Sequence, residues 1–213
     1  MEAMDKLYTK ICGVTRSEDA ELAADLGASA IGFIFWPDSP RFVDPFRARA
    51  IVASLPPFVT PVGVFVDQPM EHVEGVASLV RLGAVQLHGR ESADDCRRLK
   101  HRVIKGMGLT DGAPALVRVF PSHVMILLDA HDPERHGGTG RTIDWAAARR
   151  IAATRRVLLS GGLTPENVTT AIDLVRPYGV DVSSGVESRP GVKDPSRLRE
   201  FFAAVRASAA GVM

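Results

Sequence analysis

The sequence has no marked excess of either charge: 26 lysines and arginines face 25 aspartates and glutamates, a formal net charge of +1. That balance gives no electrostatic case for nucleic acid or an anionic membrane as partner, so any anion site must be local. Cysteine is also scarce, with Cys12 and Cys96 the only two. Cys96 sits in a charged helical stretch beside Arg97 and Arg98, which argues against a disulfide framework. Long hydrophobic runs are missing as well. Ala30 to Trp36 and Val62 to Val66 are among the longest, far short of the roughly 20 residues of a membrane span. Met1 to Lys10 carry acids and lack an apolar core or small-residue cleavage site, so they do not read as a secretory signal, and a cytoplasmic location is expected. Low-complexity segments, linkers long enough to part domains and short fixed-period repeats are absent too. No spaced Cys and His cluster suggests zinc.

What is present is 213 residues with 46% hydrophobic content, enough for one sizeable core and one domain over 1–213, with its core about 7–207. Short β-branched or apolar runs alternate with amphipathic stretches, the pattern of strand–helix units around a parallel sheet. Eight strands are expected: Leu7 to Cys12, Ala30 to Phe35, Pro61 to Val66, Ala84 to His88, Val103 to Met107, Val124 to Asp129, Val157 to Ser160 and Val180 to Ser183. Continuous apolar runs such as Ile126-Leu127-Leu128 fit strands covered on both faces. Helix starts are read at Ser17-Glu18-Asp19-Ala20, Asp44-Pro45, Thr164-Pro165-Glu166 and Asp194-Pro195, where a capping side chain or a first-turn proline meets the orphan amides. Eight such units close into a single-domain α/β (β/α)8 TIM barrel or lie open as a doubly wound sheet. No Gly-x-Gly-x-x-Gly turn follows the first strand, which favours the barrel.

In such a barrel the active site lies at the C-terminal strand ends, so the polar residues closing each apolar run are the candidates. Strand 1 ends in Cys12-Gly13, strand 4 in His88-Gly89 and strand 6 in Asp129; strands 7 and 8 end in Ser160-Gly161-Gly162 and Ser183-Ser184-Gly185. The last two are glycine-bearing turns leading towards helix N-termini, which favour a phosphate, and they stand at the recurrent phosphate site of these barrels. A tight turn alone also explains any single Gly-Gly.

Cys12 and Asp129 can serve across the barrel mouth as base and acid: a thiolate accepts a proton from carbon, and a carboxylic acid gives one to a ring oxygen. A free thiol is only a few per cent ionised near neutrality, so the base role needs a stabilised thiolate. By residue type alone, Cys12 also fits as a small buried hydrophobe, and Asp129 as a helix cap or an arginine partner. Lys10 shares a strand face with Cys12, and Asp181 lies in strand 8, the neighbour of strand 1 in a closed barrel, so the two are expected to pair inside. Arg41 ends a proline-restricted loop, Trp36 to Arg41, and suits bidentate contact with a carboxylate or plain solvation. His88 either orients a substrate or bonds within the loops.

Taken in order, Lys10-Ile11-Cys12-Gly13, Ser39-Pro40-Arg41, Val62 to Val66, Gln86-Leu87-His88-Gly89, Leu128-Asp129, Gly137-Gly138-Thr139-Gly140, Ser160 to Leu163 and Asp181 to Glu187 resemble phosphoribosylanthranilate isomerase. The resemblance runs from about Tyr8 to Phe202. It implies that Cys12 is the general base, Asp129 the general acid and Arg41 the holder of the anthranilate carboxylate. It also implies that Gly161, Gly162, Ser183, Ser184 and Gly185 grip the phosphate, with His88, Asp181, Lys10 and Gly138 in support. The reaction it implies is an Amadori rearrangement in tryptophan biosynthesis, on a small phosphorylated sugar–anthranilate substrate, with no metal or organic cofactor, by a monomer or homodimer. Met1 to Asp5 and the stretch Asp132 to His136 depart from the family pattern without removing a chemical group. Two rivals remain at this stage. One is a barrel isomerase of the histidine-pathway aminoaldose, whose relatives use two aspartates where this chain has Cys12. The other is a phosphosugar-binding protein without catalysis.

Overall fold

The computed structural model describes residues 7–109, 113–130 and 143–210. In chain order the elements are β1 (Tyr8–Ile11), α1 (Ser17–Asp25), β2 (Ala30–Ile34), α2 (Pro45–Ser54), β3 (Thr60–Phe65), α3 (Met70–Val80), β4 (Ala84–Leu87) and α4 (Ala93–Arg98). There follow β5 (Arg102–Gly108), α5 (Ala113–Val117), β6 (Met125–Asp129), α6 (Trp145–Ala152), β7 (Val157–Leu159), α7 (Val168–Val175) and β8 (Gly179–Val182). A 3-10 turn (Ser184–Val186) and a small hairpin, β9 (Glu187–Arg189) with β10 (Val192–Lys193), precede α8 (Pro195–Ala210).

The eight parallel strands β1 to β8 form a closed barrel, β8 pairing back onto β1 with Lys10 opposite Asp181. The expected α/β barrel is therefore the fold, and the open-sheet alternative falls away. Each strand occurs where the apolar runs place it, within one or two residues. Alternation along the strands then divides the side chains into two sets. Ile11, Ile31, Phe33, Phe65, Val85, Leu87, Ile126, Leu128, Leu159 and Val180 join the main core with the helices. Val62, Ala84, Ile104, Leu127 and Leu158 form a separate cluster, with Ala30 and Met125 packed on it. Two residues further along the same strands come Val64, Gln86, Asp129 and Ser160, all lining a cavity. A hydrophobic plug below thus fixes the floor, and the next inward positions on β4, on β6 and just past β7 carry polar side chains.

Asp44 and Asp194 cap α2 and α8 as expected, accepting from Phe46 N and Arg47 N and from Ser196 N and Arg197 N. Helix α1 begins at Ser17 as expected, but the flanking Arg16 offers no capping side chain. Helix α7 begins at Val168, later than Thr164-Pro165-Glu166, because Asn167 Oδ1 accepts from Thr164 N and Asn167 Nδ2 donates to Gly162 O, holding 164–167 in a turn. The β9–β10 hairpin was not anticipated; its strands are only three and two residues long. Among the described residues no helix is long and apolar enough to cross a membrane.

Candidate active site

At the C-terminal ends of the strands a cavity of about 520 Å³ is lined by Cys12, Trp36, Asp38, Arg41, Gln86, His88, Asp129, Ser160, Asp181 and Ser183. Of the sequence-derived site residues it gathers Cys12, Arg41, His88, Asp129, Asp181 and Ser183. Gly138 lies outside the described residues. A larger cleft of about 960 Å³ opens at the opposite end of the barrel, lined by Tyr8, Phe58, Thr60, His101 and Tyr178 among others. The smaller cavity is the candidate, because it lies at the C-terminal strand ends and gathers a thiol, carboxylates and Arg41.

Cys12 follows β1 and is nearly fully buried, its amide donating to Val182 O at 2.8 Å. Gly32 on the neighbouring β2 makes room for it: a Cβ there would stand 2.9 Å from Cys12 Sγ. Burial pushes the Cys12 thiol up, and the Lys10 ammonium, with a smaller effect from Lys193, opposes that rise. Lys10 Nζ donates to Asp181 Oδ1 at 2.7 Å, the pairing expected from the sequence, and both are buried. Burial would lower Lys10, yet Asp181 and then Cys12 outweigh it and raise the ammonium above its ordinary range. Lys10 therefore stays charged beside the thiol. Asp181 also accepts from Ser160 Oγ at 3.3 Å through its other oxygen.

Asp129 closes β6, and its Oδ1 accepts from Ala130 N at 2.8 Å. Its Oδ2 lies 3.2 Å from His88 Nε2, and His88 Nδ1 lies 2.9 Å from Gln86 Nε2. His88, left undecided by the sequence, is thus held between Gln86 and Asp129. Arg41 lines the cavity but is already engaged: Nε and Nη2 donate to the Glu187 carboxylate at 3.0 and 2.8 Å. Lys193, whose side chain is fully buried, donates to the same carboxylate at 2.8 Å, to Cys12 O at 2.5 Å and to Ser183 O at 3.2 Å. Burial would raise Glu187, but Arg41 and Lys193 hold it below the usual carboxylate range. Burial dominates at Lys193 and lowers it despite Glu187.

Gly161 and Gly162 carry left-handed φ values of 84° and 66°, so the turn after β7 needs residues without a Cβ. Gly185 packs onto this turn, since a Cβ there would overlap Leu163 O. The two turns after β7 and β8 are therefore in contact, and Ser183 Oγ, buried on the cavity wall, has no hydrogen-bond partner among the described residues. Ser184 opens the 3-10 turn that follows. Sequence reasoning missed three residues. Gln86 and Glu187 lay inside quoted motifs, at inward or flanking positions, but were given no role. Lys193 gave no signal, because an isolated lysine beside a proline-bearing loop reads as solvated.

A model of the N-(5'-phosphoribosyl)anthranilate isomerase family matches residues 9–204. The chain is 47% identical over 196 residues to the N-(5'-phosphoribosyl)anthranilate isomerase of Pelobacter propionicus, covering 92% of this chain and 94% of that one. Its fold superposes on phosphoribosyl anthranilate isomerase from Thermotoga maritima with a TM-score of 0.87 at 44% identity, over 94% and 99% of the two chains. A phosphoribosyl anthranilate isomerase in complex with reduced 1-(o-carboxyphenylamino)-1-deoxyribulose 5-phosphate gives 0.84 at 42% identity, over the same shares. From its closed barrel, its converging strand ends and these likenesses along nearly its whole length, the chain belongs to the N-(5'-phosphoribosyl)anthranilate isomerase family.

Proposed function

We propose that this chain converts N-(5'-phosphoribosyl)anthranilate to 1-(2-carboxyphenylamino)-1-deoxyribulose 5-phosphate, the Amadori rearrangement of tryptophan biosynthesis, with Asp129 as general acid and Cys12 as general base. The observation that carries the reading is the placement of Cys12 and Asp129 on the wall of one cavity at the barrel mouth. Asp129 gives its proton to the furanose ring oxygen, the bond from that oxygen to C1 breaks, and the C1–nitrogen pair becomes a protonated Schiff base. Cys12 as thiolate then takes the C2 proton, leaving an enolamine that tautomerises to the ketone. Protons move and no net oxidation occurs, so the steps call for no metal or organic cofactor. A placed acid or base contributes about 10²- to 10⁴-fold each, and positioning supplies much of the remainder.

Positioning falls to the two ends of the substrate. Gly161, Gly162, Ser183, Ser184 and Gly185 receive the phosphate in the joined turns after β7 and β8, where the Ser183 hydroxyl, without a partner among the described residues, offers a hydrogen bond. Arg41 takes the anthranilate carboxylate, with Glu187 holding one edge of its guanidinium. Lys10 and Asp181 support Cys12, and His88 supports Asp129. The barrel acts as one domain in the cytoplasm, as a monomer or homodimer, without nucleic acid or membrane as partner.

The test is to add purified protein to freshly made phosphoribosylanthranilate and follow the loss of its anthranilate-type fluorescence. Rapid turnover is expected. Binding of the reduced product analogue with no turnover would support a phosphosugar-binding protein instead.

A further inference from the structure

We propose that Lys193 is a positioning residue for the general base: its side chain pins the Cys12 carbonyl to the Ser183 carbonyl and so sets where the thiol stands relative to the turn that receives the phosphate. This role rests on the reading of Cys12 as the base and says what keeps that base in place.

The parallel ladder between β1 and β8 ends at the barrel mouth with the Cys12 amide on Val182 O at 2.8 Å. Just beyond, β8 bends into the 3-10 turn at Ser184, so the two segments part where the site begins. Lys193 spans the gap from the β9–β10 hairpin. Its Nζ donates to Cys12 O at 2.5 Å, to Ser183 O at 3.2 Å and to Glu187 Oε1 at 2.8 Å. Three acceptors match the three N–H groups of an ammonium, whereas a neutral amine has only two. The lysine is itself held. Its amide donates to Asp19 Oδ2 at 3.0 Å, and Arg16 Nη2 donates to the other oxygen of that buried carboxylate at 2.6 Å. Thr15 Oγ1 donates to Gly191 O at 2.6 Å, fastening the hairpin once more to the start of α1. With its backbone fixed and its side chain fully buried, Lys193 is aimed at the joint rather than free to turn.

Base, phosphate turn and arginine meet tightly at this joint. Gly13 follows Cys12 with a left-handed φ of 72°, and a Cβ there would stand 3.0 Å from Ser183 Oγ and 2.6 Å from Arg41 Cδ. In the rearrangement the thiolate must meet C2 of the sugar while the phosphate at C5 is fixed by the neighbouring turn. A shift of the thiol against that turn by about 1 Å is enough for about a 10²-fold loss of rate. The Lys193 ammonium also favours the Cys12 thiolate electrostatically, less strongly than Lys10 does. Removing Lys193 leaves Arg41 fork to fork on Glu187. The effect therefore belongs in the rate of the chemical step rather than in binding.

The test is a double-mutant cycle on the single-turnover rate with phosphoribosylanthranilate, using wild type, Lys193→Met, Cys12→Ser and the double variant. We expect Lys193→Met to slow the turnover by about 10- to 100-fold with KM within a few-fold. On the Cys12→Ser background the same change should slow it by less than about threefold, because the group it serves is gone. A lysine that only stabilises the fold would slow both backgrounds alike. Lys193→Gln keeps N–H donors and should lose less than Lys193→Met; it takes the place of Lys193→Met in the cycle if the latter does not fold. Full single-turnover rate in the folded variant, an equal loss on both backgrounds, or a loss confined to KM would overturn the proposal. If Cys12→Ser keeps full turnover, the base role itself fails whatever Lys193→Met does, and with it the purpose given to Lys193.

Discussion

Arg41 and Glu187 meet fork to fork, Nε and Nη2 of the guanidinium donating to the two carboxylate oxygens at 3.0 and 2.8 Å. The pair joins the loop after β2 to the hairpin after β8 and, through Lys193, ties both to the backbone at Cys12. One buried carboxylate thus holds the arginine on the cavity wall and pairs with the buried Lys193.

Replacing Glu187 with Gln should therefore act twice. Arg41 loses its fixed edge, so KM should rise by about tenfold with a smaller change in kcat. Lys193 loses its counter-ion at a site without solvent, so stability should drop by about 3–5 kcal/mol in urea unfolding. Because Glu187 is held below the usual carboxylate range, the wild-type advantage should be fully present above the ordinary glutamate value of about 4.3 and be lost as pH falls through the lowered one. A wild-type advantage unchanged on acidification would contradict the pairing.

Burial raises the Cys12 thiol and the Lys10 ammonium works against that rise. Turnover should accordingly climb with alkaline pH above the ordinary thiol range, where the thiolate forms. Lys10→Gln should move that climb to higher pH and lower kcat at neutrality by about tenfold or more. Asp181→Asn leaves Lys10 buried without its partner and should cost stability; if both stability and activity were unchanged, the pair would have no role.

Space at the base is as specific as charge. An added Cβ at Gly32 would meet Cys12 Sγ at 2.9 Å, Cys12 Cα at 3.1 Å and Lys10 Cε at 3.2 Å. Gly32→Ala should thus cost about 1–3 kcal/mol from overpacking. It should also reduce kcat by as much as about 10²-fold, since displacing the thiol by an ångström suffices for that. Thermal melts and steady-state rates separate the two effects. A variant with native rates would show that the wall at β2 yields freely.

The barrel was legible because strands buried on both faces write themselves as unbroken apolar runs, and the polar residue after each run marks the mouth. Cys12, His88 and Asp129 stood out in that way, and the Lys10–Asp181 pair followed from closing the sheet. What stayed hidden depended on contacts distant in sequence or on very short elements. Glu187 and Lys193 acquire their meaning only when the β9–β10 hairpin folds over the end of β1, and Gln86 reads as one polar residue in an apolar strand until His88 is placed beside it. The start of α7 was misplaced because Asn167 bonds back to Thr164 and Gly162, a local choice that the proline and acid before it do not reveal.

The central claim is that one thiol and one carboxyl on opposite sequence halves share the proton transfers. The most direct measurement is kcat for phosphoribosylanthranilate with Cys12→Ser and Asp129→Asn, alongside the affinity of each for the reduced product analogue. Each variant should lose about 10²- to 10⁴-fold in kcat while binding the analogue within a few-fold of wild type. Near-normal turnover in either would contradict the role assigned to that residue.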